Sequence, residues 1–273
     1  MNLEQLRPEE KAALNLRKIY SQYGYKFYRM SRFEEYDFYA DKKDFLTSRN
    51  ILTFTDINGK LMALRPDVTL SIIKHIKAIP DQVQKFFYDE KIYRVPKNAG
   101  NFRELSQAGI ECIGALDSKN NHEVIELAVK SLETLAGGRR YILDIADAGL
   151  IAKFIPDSNK HEIMKCIAEK NIHGLKDLNA PDEIINLMTG ESKPTELVEI
   201  QKIYSHAINI DFSAVSNLNY YNGIIFRGFI EGVPDSILSG GQYDILLHSM
   251  GHKDSKAIGF AVYLDYLEAF TSD

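Results

Sequence analysis

Cysteine and surplus positive charge are both scarce in this chain. Two cysteines, Cys112 and Cys166, occur in 273 residues, and they do not have metal-site spacing. Cys112 lies in an apolar strand-like run and Cys166 in a helical one, so both are expected to be buried thiols in a reducing compartment. Thirty-three Lys and Arg face 38 Asp and Glu, a formal net charge of -5. That balance argues against a dedicated nucleic-acid binder, whose surface is usually basic. No uninterrupted apolar run approaches about 18 residues, so no membrane span is expected. The first ten residues carry Glu4, Arg7, Glu9 and Glu10 in place of an apolar signal core. These absences point to a soluble, cytoplasmic protein. Neither G-x-x-x-x-G-K nor G-x-G-x-x-G occurs, so neither a P-loop nor a Rossmann turn is indicated. No cofactor is expected.

What is present is ordinary globular composition, 45% hydrophobic and 26% charged, in a chain long enough to bury a sizeable core. Pro8 followed by Glu9 and Glu10 reads as a helix start, and Gly24 as its end. Ile51 to Thr55, Asn58-Gly59 and Leu61 to Leu64 read as a hairpin. Pro66 and Asp67 open a second helix. Phe86 to Arg94 and Leu105 to Gly114 form a longer hairpin. A helix follows through Val124 and Leu135, with Asn120 and Asn121 as candidate caps and Gly137-Gly138 as the stop. Tyr141 to Ile145 is a strand. Residues 147–211 read as a helical insertion broken at Pro156, Pro181 and Pro194. Strand signals return at Tyr220 to Phe226 and Phe229 to Glu231, Gly240-Gly241 reads as a turn, and Ala257 to Ala261 as an apolar run before a final helix. Hairpins outnumber βαβ units, so the expected class is α+β, a mainly antiparallel sheet flanked by helices.

Four constellations could carry chemistry. Arg65-Pro66-Asp67-Val68-Thr69 presents a carboxylate and a hydroxyl at a helix entrance, suited to an ammonium group, although taken alone the block reads better as a plain helix start. In the long hairpin, alternation puts Gln107, Gly109 and Glu111 on one face. The glycine leaves open space where a small polar ligand could sit; a solvent-facing strand is the other reading. Tyr220-Tyr221 stands at an expected strand start. Gly240-Gly241-x-Tyr243-Asp244 precedes Gly259-Phe260-Ala261. His248 and His252 are four apart but lack a third ligand nearby, so no metal site is expected. Glu34-Glu35 and Lys42-Lys43-Asp44 read as solvated faces.

Taken in order, these blocks resemble the histidyl-tRNA synthetases from about residue 8 to 270. The Arg94 hairpin looks like motif 2 of class II synthetases and the Gly259 block like motif 3. The resemblance implies a single catalytic-core domain over 1–273, with the 147–211 insertion and no anticodon-binding domain. It also implies a histidine pocket of Asp67, Thr69, Arg94, Gln107, Glu111, Tyr220 and Tyr221. Carboxylates suit an ammonium and an imidazole N–H, arginine suits a carboxylate, and tyrosines supply a flat wall with a polar tip.

The departures bear on function. Tyr266 stands where motif 3 has its arginine, and Tyr263 replaces a glycine. Val95-Pro96 follows Arg94, Asn101 follows Gly100, and Ser216-Asn217 begins the Tyr-Tyr block. Three arginines are missing from places where a triphosphate needs positive charge, so amino-acid activation should be lost. A kept amino-acid pocket with a lost ATP site is similar to the ATP phosphoribosyltransferase regulatory subunits of histidine biosynthesis. The resemblance implies no activity of its own and a short-form catalytic subunit as partner. It also implies L-histidine as ligand and feedback signal, and self-association as a dimer through the aromatic-rich region Leu14 to Phe38. No membrane or nucleic-acid partner is expected. The second reading is a reduced synthetase-like enzyme or a tRNA-sensing module.

Overall fold

The computed structural model describes residues 6–46, 50–77, 81–95, 100–215 and 218–270. It divides into two compact units, one of Met1–Leu116 with Leu246–Asp273 and one of Asp117–Ile245.

The first unit opens with α1 (Pro8–Gln22), where Pro8 takes the first helical position and the Glu10 carboxylate accepts the Arg7 backbone N–H at 2.9 Å. Gly24 follows the helix at φ +81°, a conformation glycine adopts without penalty. Next come β1 (Lys26–Phe27), β2 (Phe33–Glu35), α2 (Tyr36–Ala40), β3 (Thr53–Thr55) and β4 (Leu61–Leu64). The strands β2, β4 and β3 make a small antiparallel sheet in that order. The turn from β3 to β4 spans Asp56–Lys60, longer than a two-residue hairpin, with Gly59 at φ +81°. Asp67 then caps α3 (Val68–His75), its carboxylate accepting the Leu70 N–H at 2.9 Å.

The long strands β5 (Val83–Arg94) and β6 (Arg103–Gly114) pair along their whole length, from Val83 opposite Gly114 to Arg94 opposite Arg103. Near the chain's end, β11 (Lys256–Tyr263) returns and pairs antiparallel with β6, while β1 pairs parallel with β5. One face of this sheet packs on α1 through Tyr20, whose ring meets those of Phe87 and Phe260 at 6.3 and 6.0 Å between centroids. The opposite face is left for the site.

The second unit begins with α4 (Ser118–Ala136). Its cap is Asp117, not Asn120 or Asn121: the Asp117 carboxylate accepts from Lys119 N and Asn120 N, and the Asn120 side chain accepts from Asp117 N. The helix starts earlier than expected, which makes Asn120 the reciprocal partner inside the first turn. Gly137, left-handed at φ 56°, ends it. β7 (Tyr141–Asp147) leads into five short helices: α5 (Ala148–Phe154), α6 (Lys160–Ala168), α7 (Ile172–Asp177), α8 (Asp182–Thr189) and α9 (Thr195–Ile203). They are followed by β8 (Ile208–Ile210), β9 (Ile224–Ile230) and β10 (Leu238–Gln242). In this unit β10, β9 and β7 are antiparallel neighbours, and β8 joins β7 in parallel. Leu132 of α4 packs where Gly228 of β9 has no side chain; a Cβ there would stand 2.7 Å from a Leu132 methyl. The chain leaves through α10 (Asp244–Ser249).

The fold is therefore mixed α and β with mostly antiparallel pairing, and each unit carries one parallel edge pair. Cys112 and Cys166 are both buried free thiols, as expected. Two local readings need correction. Gly240 and Gly241 lie inside β10 instead of forming a turn. Glu34 is not solvated: it is 4% exposed and meets Lys74 at 3.3 Å. Alternation on β2 turns Glu34 inward beside Ala63 and sends Glu35 outward to Lys60 at 2.5 Å.

Candidate functional site

Five of the seven expected pocket residues come together in the first unit. Alternation on β5 and β6 sends Arg94, Gln107 and Glu111 to one face, away from α1. Gln107 is 5% exposed and Glu111 1% exposed. The carboxylate of Glu111 is held by Thr69 of α3, whose hydroxyl donates to Oε1 at 2.6 Å. Asp67, the helix cap, stands two residues earlier at the same helix entrance.

The open space expected above Gly109 is filled. Tyr88, directly opposite on β5, lays its ring over the glycine, and a Cβ on Gly109 would lie 2.6 Å from Tyr88 Cζ. The Tyr88 hydroxyl donates to the Phe260 carbonyl at 3.4 Å. Glycine in a strand often marks such a close approach, and the partner is set by register. Glu111 and Gln107 therefore stand on either side of the Tyr88 ring, on the face that Arg94 shares. Gly259 on β11 provides the matching clearance on the other side: it pairs with Glu111, and a Cβ there would run into the Glu111 carboxylate.

Burial dominates the electrostatics. It raises the Asp67 carboxyl above its ordinary value, although the Leu70 N–H and the charge of Arg94 pull the other way. Burial, then the charge of Glu111, pushes the Tyr88 phenol well above its usual value. A desolvated carboxylate is poised to take a cation, because an ammonium would restore the interactions lost from water. Since folding raises the Asp67 value, its proton stabilises the native state at low pH. That contribution disappears as pH rises through the folded value. Asp67→Asn keeps an oxygen for the Leu70 cap, so its stability relative to the parent should improve with rising pH. Urea midpoints at pH 4.5 and 8 check this, and a variant that loses ground to the parent toward pH 8 would contradict it.

The other two expected residues, Tyr220 and Tyr221, belong to the second unit. They sit in a turn before β9 and not on the strand itself. Their rings meet edge to face at 4.7 Å, and Tyr220 also faces Tyr243 at 5.9 Å. Asn222 fixes this turn by donating to Asp244 Oδ2 at 3.1 Å while its own oxygen accepts the Asp244 N–H at 2.9 Å. Gly241 allows the approach, since a Cβ would stand 2.6 Å from the Ile224 carbonyl and 2.9 Å from the Tyr221 ring. Tyr243, which meets Tyr220 here, is the tyrosine of Gly240-Gly241-x-Tyr243-Asp244.

Of the departures from the synthetase pattern, Pro96, Ser216 and Asn217 lie outside the described residues. Tyr263 and Tyr266 are placed. Tyr263 sits opposite Gln107 on the site face, with the Arg94 guanidinium 5.9 Å from its ring centroid and the Tyr266 ring at 6.1 Å. The Tyr263 ring thus lies beside Arg94 with Tyr266 against it, and neither position adds a cation. Among the described residues no cluster of His, Cys, Asp and Glu could hold a metal ion.

Comparison with known proteins bears on the family and the fold. The histidyl-tRNA synthetase family model matches residues 1–190 and 186–267. The ATP phosphoribosyltransferase regulatory subunit of Caldanaerobacter subterraneus subsp. tengcongensis is 31% identical, over 91% of this chain and 75% of that protein. The Clostridium novyi protein of the same name is 28% identical, over 92% and 69%. Among solved structures, an ATP phosphoribosyltransferase regulatory subunit/histidyl-tRNA synthetase from Bacillus halodurans superposes with a TM-score of 0.77 at 23% identity, over 96% of this chain and 79% of that one. An ATP phosphoribosyltransferase complex from Thermotoga maritima gives 0.72 at 17%, over 94% and 97%. The two structural likenesses carry the fold. With the synthetase family model matching nearly its whole length and a relative 31% identical over 91% of it, the chain belongs to the ATP phosphoribosyltransferase regulatory subunits, a family built on the histidyl-tRNA synthetase core.

Proposed function

We propose that the first unit binds free L-histidine and that this binding carries feedback to a short-form catalytic subunit. The chain is a regulatory subunit of ATP phosphoribosyltransferase in histidine biosynthesis, without activity of its own. The observation that carries the ligand is the row Asp67, Thr69–Glu111, Gln107 and Arg94 on one face of β5 and β6. Carboxylates at one end suit the ammonium and the imidazole N–H, and Arg94 at the other suits the carboxylate. For Tyr220 and Tyr221, which belong to the second unit, the histidine-binding role is proposed from the family resemblance alone. Self-association is proposed through residues 14–38, where Leu14, Phe27 and Phe33 are exposed. Among the described residues no helix is long and apolar enough to cross a membrane, in keeping with a cytoplasmic setting.

For histidine to inhibit, it must bind the inactive state of the complex more tightly than the active one. The test is phosphoribosyltransferase activity of the short-form catalytic subunit, with and without this chain, across a histidine titration. The expected result is activation by the chain and inhibition by histidine. Glu111→Gln should raise the inhibitory histidine concentration about 10–100-fold while activation persists, the cost of losing a hydrogen bond to a charged group. Inhibition unchanged by Glu111→Gln would place the feedback site elsewhere. Absence of both activation and co-elution would remove the pairing itself.

A further inference from the structure

We infer that Tyr263 is a specificity residue that closes the carboxylate end of the pocket, so that the site takes a free amino acid and refuses one extended through its carboxyl group. The inference rests on the histidine pocket proposed above and adds what that pocket excludes.

Three observations carry it. Tyr263 pairs with Gln107 across the β6–β11 ladder, and directly opposed residues of an antiparallel pair project to the same face. Its ring therefore stands on the site face. The Arg94 guanidinium lies 5.9 Å from the ring centroid, within the range of a cation–π contact. The group suited to a ligand carboxylate is thus bounded by an aromatic wall.

The wall is also fixed in place. Tyr266 meets Tyr263 edge to face at 6.1 Å. Between them Leu264 is buried, and the Asp265 carboxylate accepts the Ser106 backbone N–H of β6 at 2.7 Å. Leu267 is buried just beyond. With the following residues pinned to the sheet and Tyr263 itself paired to Gln107, the backbone that carries the ring is held in place. On this reading a ligand carboxylate meets Arg94 on the face that Tyr263 bounds, and a substituent joined to that carboxylate would meet the ring. The clash acts only against extended ligands, which is how a site gains specificity without tighter binding. A sensor built this way responds to the free amino acid and ignores its activated esters.

The test compares two probes by calorimetry on the full chain: L-histidine, and histidine joined through its carboxyl to adenosine 5′-sulfamate. The unaltered chain should bind histidine at least roughly tenfold more tightly than the conjugate. Tyr263→Ala should close that gap by gaining affinity for the conjugate, whereas Tyr263→Phe, which keeps the ring, should preserve it. Tyr263→Thr, a better strand residue, replaces the alanine variant if that one fails to fold. Equal binding of both probes by the unaltered chain overturns the inference while leaving the histidine pocket standing. So does an unchanged gap in a folded Tyr263→Ala or Tyr263→Thr protein that still binds histidine. No histidine binding by the unaltered chain overturns the pocket and, with it, the closure.

Discussion

Replacing Arg65 with alanine is expected to lower the unfolding free energy by about 3–5 kcal/mol, the usual cost of stripping one partner from a buried ion pair. Arg65 is 0% exposed. Its Nη2 donates to the Glu90 carboxylate and to the Lys91 carbonyl, each at 2.8 Å, and its Nη1 donates to the Ser31 carbonyl at 2.8 Å. Its backbone is tied in as well, with N donating to the Arg32 carbonyl and O accepting from Tyr93. One side chain therefore joins the segment before β2 to the middle of β5. Alanine would leave Glu90, itself largely buried, without its cation, together with two carbonyls without a donor. A double change, Arg65→Met with Glu90→Leu, removes both charges and should recover most of the loss, because a buried pair is worth little beyond an apolar replacement. Urea unfolding checks both. A single-variant loss under about 1 kcal/mol would mean that water reaches this pair and screens it.

Gly259→Ala should weaken L-histidine binding by about 10–100-fold, as expected when a charged hydrogen-bond partner is displaced. The new methyl would stand 2.8 Å from Glu111 Cδ and closer still to the carboxylate oxygen and the Ile110 carbonyl. The backbone of β11 cannot retreat, because the ladder to β6 runs unbroken from Lys256 to Tyr263. Glu111 must therefore turn away, and the Thr69 hydrogen bond goes with it. Overpacking of this kind also costs about 1–3 kcal/mol of stability. Pairing the change with Glu111→Asp shortens the acid by one methylene and should regain part of the stability without regaining affinity, because the Ile110 carbonyl still crowds the methyl. Calorimetry with histidine, alongside thermal melts, separates the two effects. If affinity and melting temperature both stayed at the parent's values, the close packing of Gly259 on Glu111 would be wrong.

These two sites differ in how far they could be seen in advance. Arg65-Pro66-Asp67 drew notice as a motif, and Asp67 does cap its helix. Nothing local shows that Arg65 is buried, since its partners Ser31, Glu90 and Lys91 are distant in sequence. Gly259 was visible only as part of a glycine pattern. Its purpose, clearance for Glu111, follows from the pairing of β11 with β6.

By itself the sequence determined the helix starts at Pro8 and Asp67, the long hairpin, the face shared by Gln107 and Glu111, and the departures at Tyr263 and Tyr266. These depend on local chemistry: capping, period-two alternation, and residue identity against a family pattern. Tertiary structure alone decided that Tyr88 fills the space over Gly109 and that Glu34 turns inward to Lys74. It also put Gly240-Gly241 inside a strand and Tyr220-Tyr221 in a turn, and brought Tyr263 beside Arg94. Each of these depends on strand register or on packing between distant segments. Alternation says which face a side chain takes, but the residue it meets there comes from a neighbouring strand, and one step of register would exchange every such partner.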